Sequence, residues 1–215
     1  RLCAYRAQTQ TAKPTYKTFK YEDGAIMNAM SDNGQWGAFS AQAEDGASTT
    51  VYSIGARLVN LGTTASLSLT DGLLADTVKS SAALDVTNDG NIVVGALNSK
   101  PAYYTVDSKA WHFVKYNGLG GTISSVTPDG RYAVGTVYPS DNEYEEKPAL
   151  WNLATGDTIA TANLPQKDMA HVNMGQNRFV SISADGKTVL GCMSFSYLPS
   201  GDNPGGCFYY VYNVD

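Results

Sequence analysis

A short phrase is written four times along this chain. It reads Met30-Ser31-Asp32-Asn33-Gly34, Val86-Thr87-Asn88-Asp89-Gly90, Val126-Thr127-Pro128-Asp129-Gly130 and Ile182-Ser183-Ala184-Asp185-Gly186. In the last three copies a second glycine follows at a fixed distance, at Gly95, Gly135 and Gly191. A repeat on this scale constrains architecture before any single residue does, because a unit so small cannot bury its own apolar surface and must stack on its neighbours. Each phrase sets an Asp-Gly or Asn-Gly pair between two apolar stretches. Such pairs favour tight hairpins, since both central residues take positive φ at low cost.

The flanks read as strands. After each turn come Asn91-Ile92-Val93-Val94-Gly95, Arg131-Tyr132-Ala133-Val134-Gly135 and Lys187-Thr188-Val189-Leu190-Gly191. These are apolar or β-branched without polar alternation, as in strands buried on both faces. The closing glycine admits a close backbone approach or marks a bulge. A third run follows in each unit: 50–54, 101–106, 148–153 and 207–212. A fourth, more amphipathic run follows at 57–61, 110–114 and 157–161. Four antiparallel strands per unit, with a wetter outer strand, point to an all-β β-propeller of about four blades. The turn glycines fall at Gly34, Gly90, Gly130 and Gly186 within a single expected domain, 1–215. The middle unit is close to the roughly 40–45 residues that a four-stranded blade needs.

The strand–x-x-Asp-Gly–strand–Gly phrase, followed by Pro-Ala-Tyr-Tyr at 101–104 and Pro-Ala-Leu-Trp at 148–151, resembles the repeats of bacterial β-propellers of the TolB and HAF types. Pro128-Asp129-Gly130-Arg131 is the copy that carries the resemblance furthest. The resemblance implies the fold; its motif residues are structural, and no catalytic residue carries over.

The fourth unit has three strand-like runs before the chain ends. The run 15–21, with lysines that discourage edge pairing, is expected to complete the last blade as its outer strand. The competing reading makes the chain a structural part of a larger propeller.

Charged residues are 16% of the chain and the formal net charge is −5, which argues against a nucleic-acid partner, since phosphate-backbone binding needs a basic footprint. No apolar run reaches the roughly 18–20 residues of a membrane span. Cys192 and Cys207 fall on neighbouring strands of the last unit, where a disulfide closing the hairpin and two separate thiols are both open readings. A disulfide implies an oxidising compartment, hence an extracellular, cell-surface or periplasmic location.

The Asp-Gly turns are short, so one end of the propeller is plain. The long connections fall at the other end: 42–49, 98–100, 139–147 and 198–206 within blades, and 62–81, 117–121 and 165–173 between them. Loops on a rigid scaffold commonly carry function, so this is the candidate face. Within the link 62–81, residues 71–78 are expected to make one or two helical turns. The loop after Tyr138 holds Asp141, Glu143, Tyr144, Glu145 and Glu146, carboxylates flanked by aromatics that suit a glycan or a cationic peptide. The same oxygens suit calcium, although the spacing of a dedicated calcium loop is missing; the plain alternative is a solvated acidic insertion. His171 at a blade entry, and Tyr197 and Asp202 of the second loop, share the face.

Catalytic motifs are sparse. The sequence holds two histidines and lacks the His-Glu-x-x-His, Cys-x-x-Cys and Gly-x-Ser-x-Gly patterns. The leading expectation is a non-enzymatic, secreted or surface-exposed module that binds a protein, peptide or glycan. The alternative is a propeller hydrolase or lyase with carboxylates gathered at its central mouth.

Overall fold

The computed structural model describes residues 15–18, 25–42, 54–73, 77–139, 146–165, 172–197 and 206–214. These form four antiparallel sheets taken in chain order. The first holds β1 (Ile26–Met30), β2 (Trp36–Gln42), β3 (Ile54–Asn60) and β4 (Ser66–Ser68). The second holds β5 (Ser81–Val86), β6 (Ile92–Leu97), β7 (Lys100–Thr105) and β8 (Ala110–Phe113). In the third are β9 (Gly120–Val126), β10 (Tyr132–Tyr138), β11 (Lys147–Asn152) and β12 (Asp157–Ile159). The fourth has three strands among the described residues, β13 (Val172–Ile182), β14 (Thr188–Tyr197) and β15 (Gly206–Asn213).

The repeated phrase is the turn between the first and second strand of every sheet. Its glycine lies at φ between +71° and +77° in all four copies, the left-handed region that favours glycine. The residue three before that glycine is always Ser or Thr, and its hydroxyl closes the turn. Ser31, Thr87, Thr127 and Ser183 donate to Asn33, Asp89, Asp129 and Asp185 at 2.6–2.8 Å. The same hydroxyls accept from the backbone N–H of Trp36, Ile92, Tyr132 and Thr188 at 3.0–3.1 Å. The acidic or amide oxygen in turn accepts the N–H of Gln35, Asn91, Arg131 or Lys187.

Each first strand carries a register irregularity six residues before its turn glycine, at Asn28, Leu84, Ser124 and Val180. The second glycine of the phrase sits opposite it. A Cβ on Gly135 would overlap the Thr122 carbonyl oxygen and stand 2.9 Å from Ile123 Cα, and one on Gly95 would overlap the Ala82 carbonyl. The expected close approach and the expected bulge are thus one feature.

Consecutive sheets pack face to face. The residue two places after each turn glycine covers the next sheet's turn glycine: Trp36 on Gly90, Ile92 on Gly130 and Tyr132 on Gly186. Between these sheets the core is apolar, with Ala38, Leu58, Val86 and Val93 in one layer, Val94, Ile123, Ala133 and Trp151 in the next, and Val134, Leu150, Phe179 and Val189 in the third. Indole N–H groups tie the layers, Trp111 to the Leu69 carbonyl and Trp151 to the Lys115 carbonyl. Residues of β1, β5, β9 and β13 line one common pocket, so the four sheets share an axis.

Three expectations change. In the first sheet the third strand is Ile54–Asn60, which takes in the run expected as the fourth, and Ser66–Ser68 supplies the fourth from within the expected link; the insertion before β3 displaces the alignment read from the other units. Residues 70–73 form a turn closed by Leu73 N–H on the Thr70 carbonyl, with no helix among the described residues of that link. Residues 15–18 are not in a strand, and Lys17 Nζ donates to the Gly62 carbonyl at 2.8 Å. The ammonium finds a free carbonyl at the β3–β4 turn of the first sheet, so this part of the expected clasp does not run along the fourth; residues 19–21 lie outside the described residues. In the fourth sheet Cys192 stands opposite Tyr209 and Cys207 opposite Ser194, so the two cysteines are not cross-strand partners but lie two register positions apart; the Cys207 side chain lies outside the described residues.

Three substitutions test this architecture. Thr127→Val keeps the shape of a buried side chain and deletes the hydroxyl; it is expected to lower unfolding free energy by about 1–2 kcal/mol in denaturant titration. Gly135→Ala drives a methyl into backbone and is expected to lose about 3 kcal/mol or more. Gly156→Ala, at φ +71° with nothing closer than 3.9 Å, is expected to lose only about 1–2 kcal/mol from backbone strain. Equal losses at the two glycines would refute the close-approach argument.

Candidate functional site

Tyr138 ends β10 and Glu146 stands just before β11, at the two roots of the acidic loop. Glu146 also bridges to Gln176 of β13, with Asn177 N–H donating to the Glu146 carbonyl at 3.3 Å. This brings the third and fourth sheets together at their loop end. Arg178 completes the contact: its Nη2 lies 2.8 Å from Glu146 Oε2 and 3.3 Å from Gln176 Oε1. The Gln176 oxygen also accepts from Ser194 Oγ at 2.9 Å.

The ion pair is asymmetric. The Glu146 side chain is 9% exposed, whereas that of Arg178 is 43% exposed. Glu146 is therefore the buried partner of the pair, and the Arg178 side chain stays partly open to solvent. A cleft of about 360 Å³ opens here, lined by Thr122, Thr136, Tyr138, Glu146, Arg178 and Cys192 among others. Burial raises the Tyr138 phenol above its ordinary value; the Glu146 charge adds to that shift and Arg178 opposes it. Tyr138 is thus a neutral hydrogen-bonding group at neutral pH.

Of the residues singled out in the sequence, Tyr138, Glu146 and Cys192 meet in this cleft. Asp141, Glu143, Tyr144, Glu145, His171 and Asp202 lie outside the described residues, as does the side chain of Tyr197, the last residue of β14. The calcium expectation rests on that same loop. Arg178 was missed. Its signal was present, since a charge in the innermost strand of a stacked sheet requires a partner, but only the fold shows that Glu146 is that partner.

A second polar pocket, about 290 Å³, lies on the axis near the Asp-Gly turns and includes Asn28, Asp32, Asp85, Ser124 and Ser181. Its two carboxylates are where a hydrolytic centre would be sought. Asp85, however, is committed to the scaffold. Its Oδ1 accepts Val86 N–H and its Oδ2 accepts Val126 N–H, both at 2.9 Å, the latter across to the third sheet. Burial raises its carboxyl above the usual value despite these bonds, and the nearby Asp32 charge adds to the shift. Asn28 and Ser125 make the corresponding links between other sheets, Asn28 Nδ2 to the Ala83 carbonyl at 2.6 Å and Ile182 N–H to Ser125 Oγ at 3.3 Å. A larger groove of about 680 Å³ beside β4 and β8 is lined by Leu67, Leu73, Trp111 and Phe113 and continues the apolar packing of the first two sheets. His112 stacks on Tyr103 with centroids 5.0 Å apart and bonds Thr105 Oγ1, so it belongs to the outer strand.

Solved structures share this arrangement. The putative TolB from Agrobacterium tumefaciens matches over 86% of this chain and 73% of its own, at 12% identity and a TM-score of 0.51. The tricorn protease matches over 84% of this chain and 17% of its own, at 11% identity and a TM-score of 0.51. The fold is a β-propeller, as in these structures. TolB from Acinetobacter baumannii aligns at 15% identity over 78% of this chain, with a TM-score of 0.48, and the chain spans 39% of that protein's length. No family model matches the chain, and no curated protein matches it. At these identities the likeness is one of fold.

The carboxylates give the acid limb of stability a definite sign. Asp129 and Asp185 are held below the usual value, chiefly by the Arg131 N–H and by the Ser183 hydroxyl respectively. Their contribution is present above the unfolded value of about 3.8 and is lost as pH falls through the lower folded values. Asp85 is shifted the other way: its folded form keeps its proton to higher pH, a contribution full below 3.8 and lost as pH rises through the folded value. Asp85→Asn removes this opposing contribution. Between neutral pH and pH about 3, the variant is expected to lose more unfolding free energy than the parent. A shallower acid loss in denaturant titrations would contradict the assignment.

Proposed function

We propose that this propeller is a non-enzymatic binding module, secreted or exposed on a cell surface, that takes a protein, peptide or glycan at its loop end. The observation that carries the reading is the cleft at the rim of the third and fourth sheets, where a buried Glu146 holds an exposed Arg178 beside Tyr138. A volume of about 360 Å³ falls within the usual range for ligand sites. The cleft lies at the roots of the loop whose sequence is richest in carboxylates and aromatics. The axial pocket supports catalysis less well, because both Asp85 oxygens are engaged by backbone N–H groups. No helix among the described residues is long and apolar enough to cross a membrane.

The test is steric. Thr122→Trp fills the cleft from a half-buried position, while Ser108→Trp alters an exposed turn at the opposite end. Arrays of immobilised glycans and peptides are probed with the parent chain and both variants. Signals of the parent are expected to fall at least tenfold for Thr122→Trp and to persist for Ser108→Trp. Retention by both variants would move the binding site elsewhere, and a parent that retains no array component would overturn the reading.

A further inference from the structure

The packing of the second sheet on the first differs from that of the third on the second at one position of the repeat. Pro101-Ala102-Tyr103-Tyr104 and Pro148-Ala149-Leu150-Trp151 occupy the same places in successive sheets. Trp151 is fully buried, and its indole N–H donates to the Lys115 carbonyl of the link that precedes its sheet. Tyr104 holds that place one sheet earlier and is only 7% exposed. A buried tyrosine hydroxyl normally finds a partner. Among the described residues the Tyr104 ring meets Trp111 edge-on, with centroids 5.6 Å apart, and its hydroxyl has no hydrogen-bond partner.

Where Trp151 fills its interface, the smaller Tyr104 borders the groove of about 680 Å³ beside β4 and β8. Leu67, Leu73 and Phe113 line this groove and are 41%, 44% and 53% exposed. Its described lining comes from two consecutive sheets and the link between them, so it lies inside an interface that the chain itself makes. An apolar hollow of this size with a few polar groups at its wall has the make-up of a small-molecule site. Two charged residues are among the described lining, Asp71 of the link and Lys109 of the β7–β8 turn. The charge felt at the Tyr104 phenol is that of Asp71: burial pushes the phenol above its ordinary value, and the carboxylate pushes it further. Asp71 makes no ion pair among the described residues. A positive nitrogen beside Tyr104 would meet a carboxylate, a hydroxyl oxygen able to accept, and aromatic faces whose quadrupole attracts cations. An anion in the same place would be repelled.

We propose that this groove binds a small amphipathic cation, with its apolar body between Leu67, Leu73 and Phe113 and its ammonium held by Asp71 and Tyr104. The Trp111 indole N–H is already given to the Leu69 carbonyl, so that ring serves as a wall rather than a donor. The site is separate from the loop-end cleft, which is lined from the third and fourth sheets, and does not depend on what that cleft binds.

The test is calorimetric titration of the chain with phenylbutylamine, phenylbutanol and phenylbutanoate, which set three charges on one apolar body. The amine is expected to bind about tenfold tighter than the alcohol, and the carboxylate more weakly than the alcohol. Asp71→Asn, at an exposed position, is expected to weaken the amine about threefold and to leave the alcohol unchanged. Tyr104→Phe is also expected to weaken the amine about threefold. Because the hydroxyl it deletes has no partner, this variant is expected to melt at or above the temperature of the parent, which separates a ligand contact from a structural bond. Phe113→Ser opens an exposed wall and is expected to weaken every probe that binds. A parent that binds none of the three, an alcohol or carboxylate held as tightly as the amine, an amine affinity that Asp71→Asn and Phe113→Ser both leave untouched, or a melting temperature lowered by Tyr104→Phe would each overturn the proposal.

Discussion

One hydroxyl per sheet governs this fold. Ser31, Thr87, Thr127 and Ser183 each join three groups that a tight turn would otherwise leave apart: an acidic or amide side chain two residues on, the N–H that opens the second strand and, through the same residue's backbone, the turn glycine. Thr87 and Thr127 are almost wholly buried, so these are bonds made away from water, where leaving the strand N–H without an acceptor is costly. The clasp sets the angle at which the first two strands leave the turn. That angle determines where the residue two places after the glycine points.

That residue is the link from sheet to array. Trp36, Ile92 and Tyr132 differ in size and chemistry, yet each lies over the next turn glycine, with a hypothetical Cβ on Gly130 or Gly186 only 2.7 or 2.8 Å away. The glycine is therefore required twice, once for its own positive φ and once for the neighbour's side chain. Polar links reinforce the stacking near the axis. Asn33 donates to Asn88, and Asn88 N–H to the Pro128 carbonyl, while Asp85 receives Val126 N–H. Adjacent sheets are thus keyed at both the turn end and the axis before the broad apolar faces come together.

This division explains what could be read from the sequence. Local turn chemistry recurs at fixed spacing, so the glycines, the buried second strands and the outer strands at 110–113 and 157–159 were all legible. The first sheet was harder. It carries Phe39 where the other sheets have the second glycine, and a long insertion precedes β3, so its third strand was read in part as its fourth. The clasping hydroxyl was visible in all four phrases but gains meaning only once the strand N–H it accepts is located. Tyr138 and Glu146 were legible as loop residues, whereas their association with Arg178 was not. That contact joins residues far apart in the chain through the packing of the third sheet on the fourth, and no spacing rule reports it.

The Glu146–Arg178 pair differs in kind from the other links between sheets. Elsewhere the connection is apolar, or a hydrogen bond with one backbone partner, as between Asp85 and Val126, or, at Lys115 and Asp157, an ion pair exposed on both sides. Here two full charges meet at the loop end, where replacing both by well-packed apolar groups would give comparable or greater stability. Stability alone does not favour such a pair. The asymmetry of its burial suggests what does: the carboxylate is withdrawn and the guanidinium left accessible, so the pair fixes one cationic donor group in space without leaving its charge uncompensated. A rigid scaffold keyed by its turns at one end can hold such a group in register at the other, which supports the proposed recognition at the loop end.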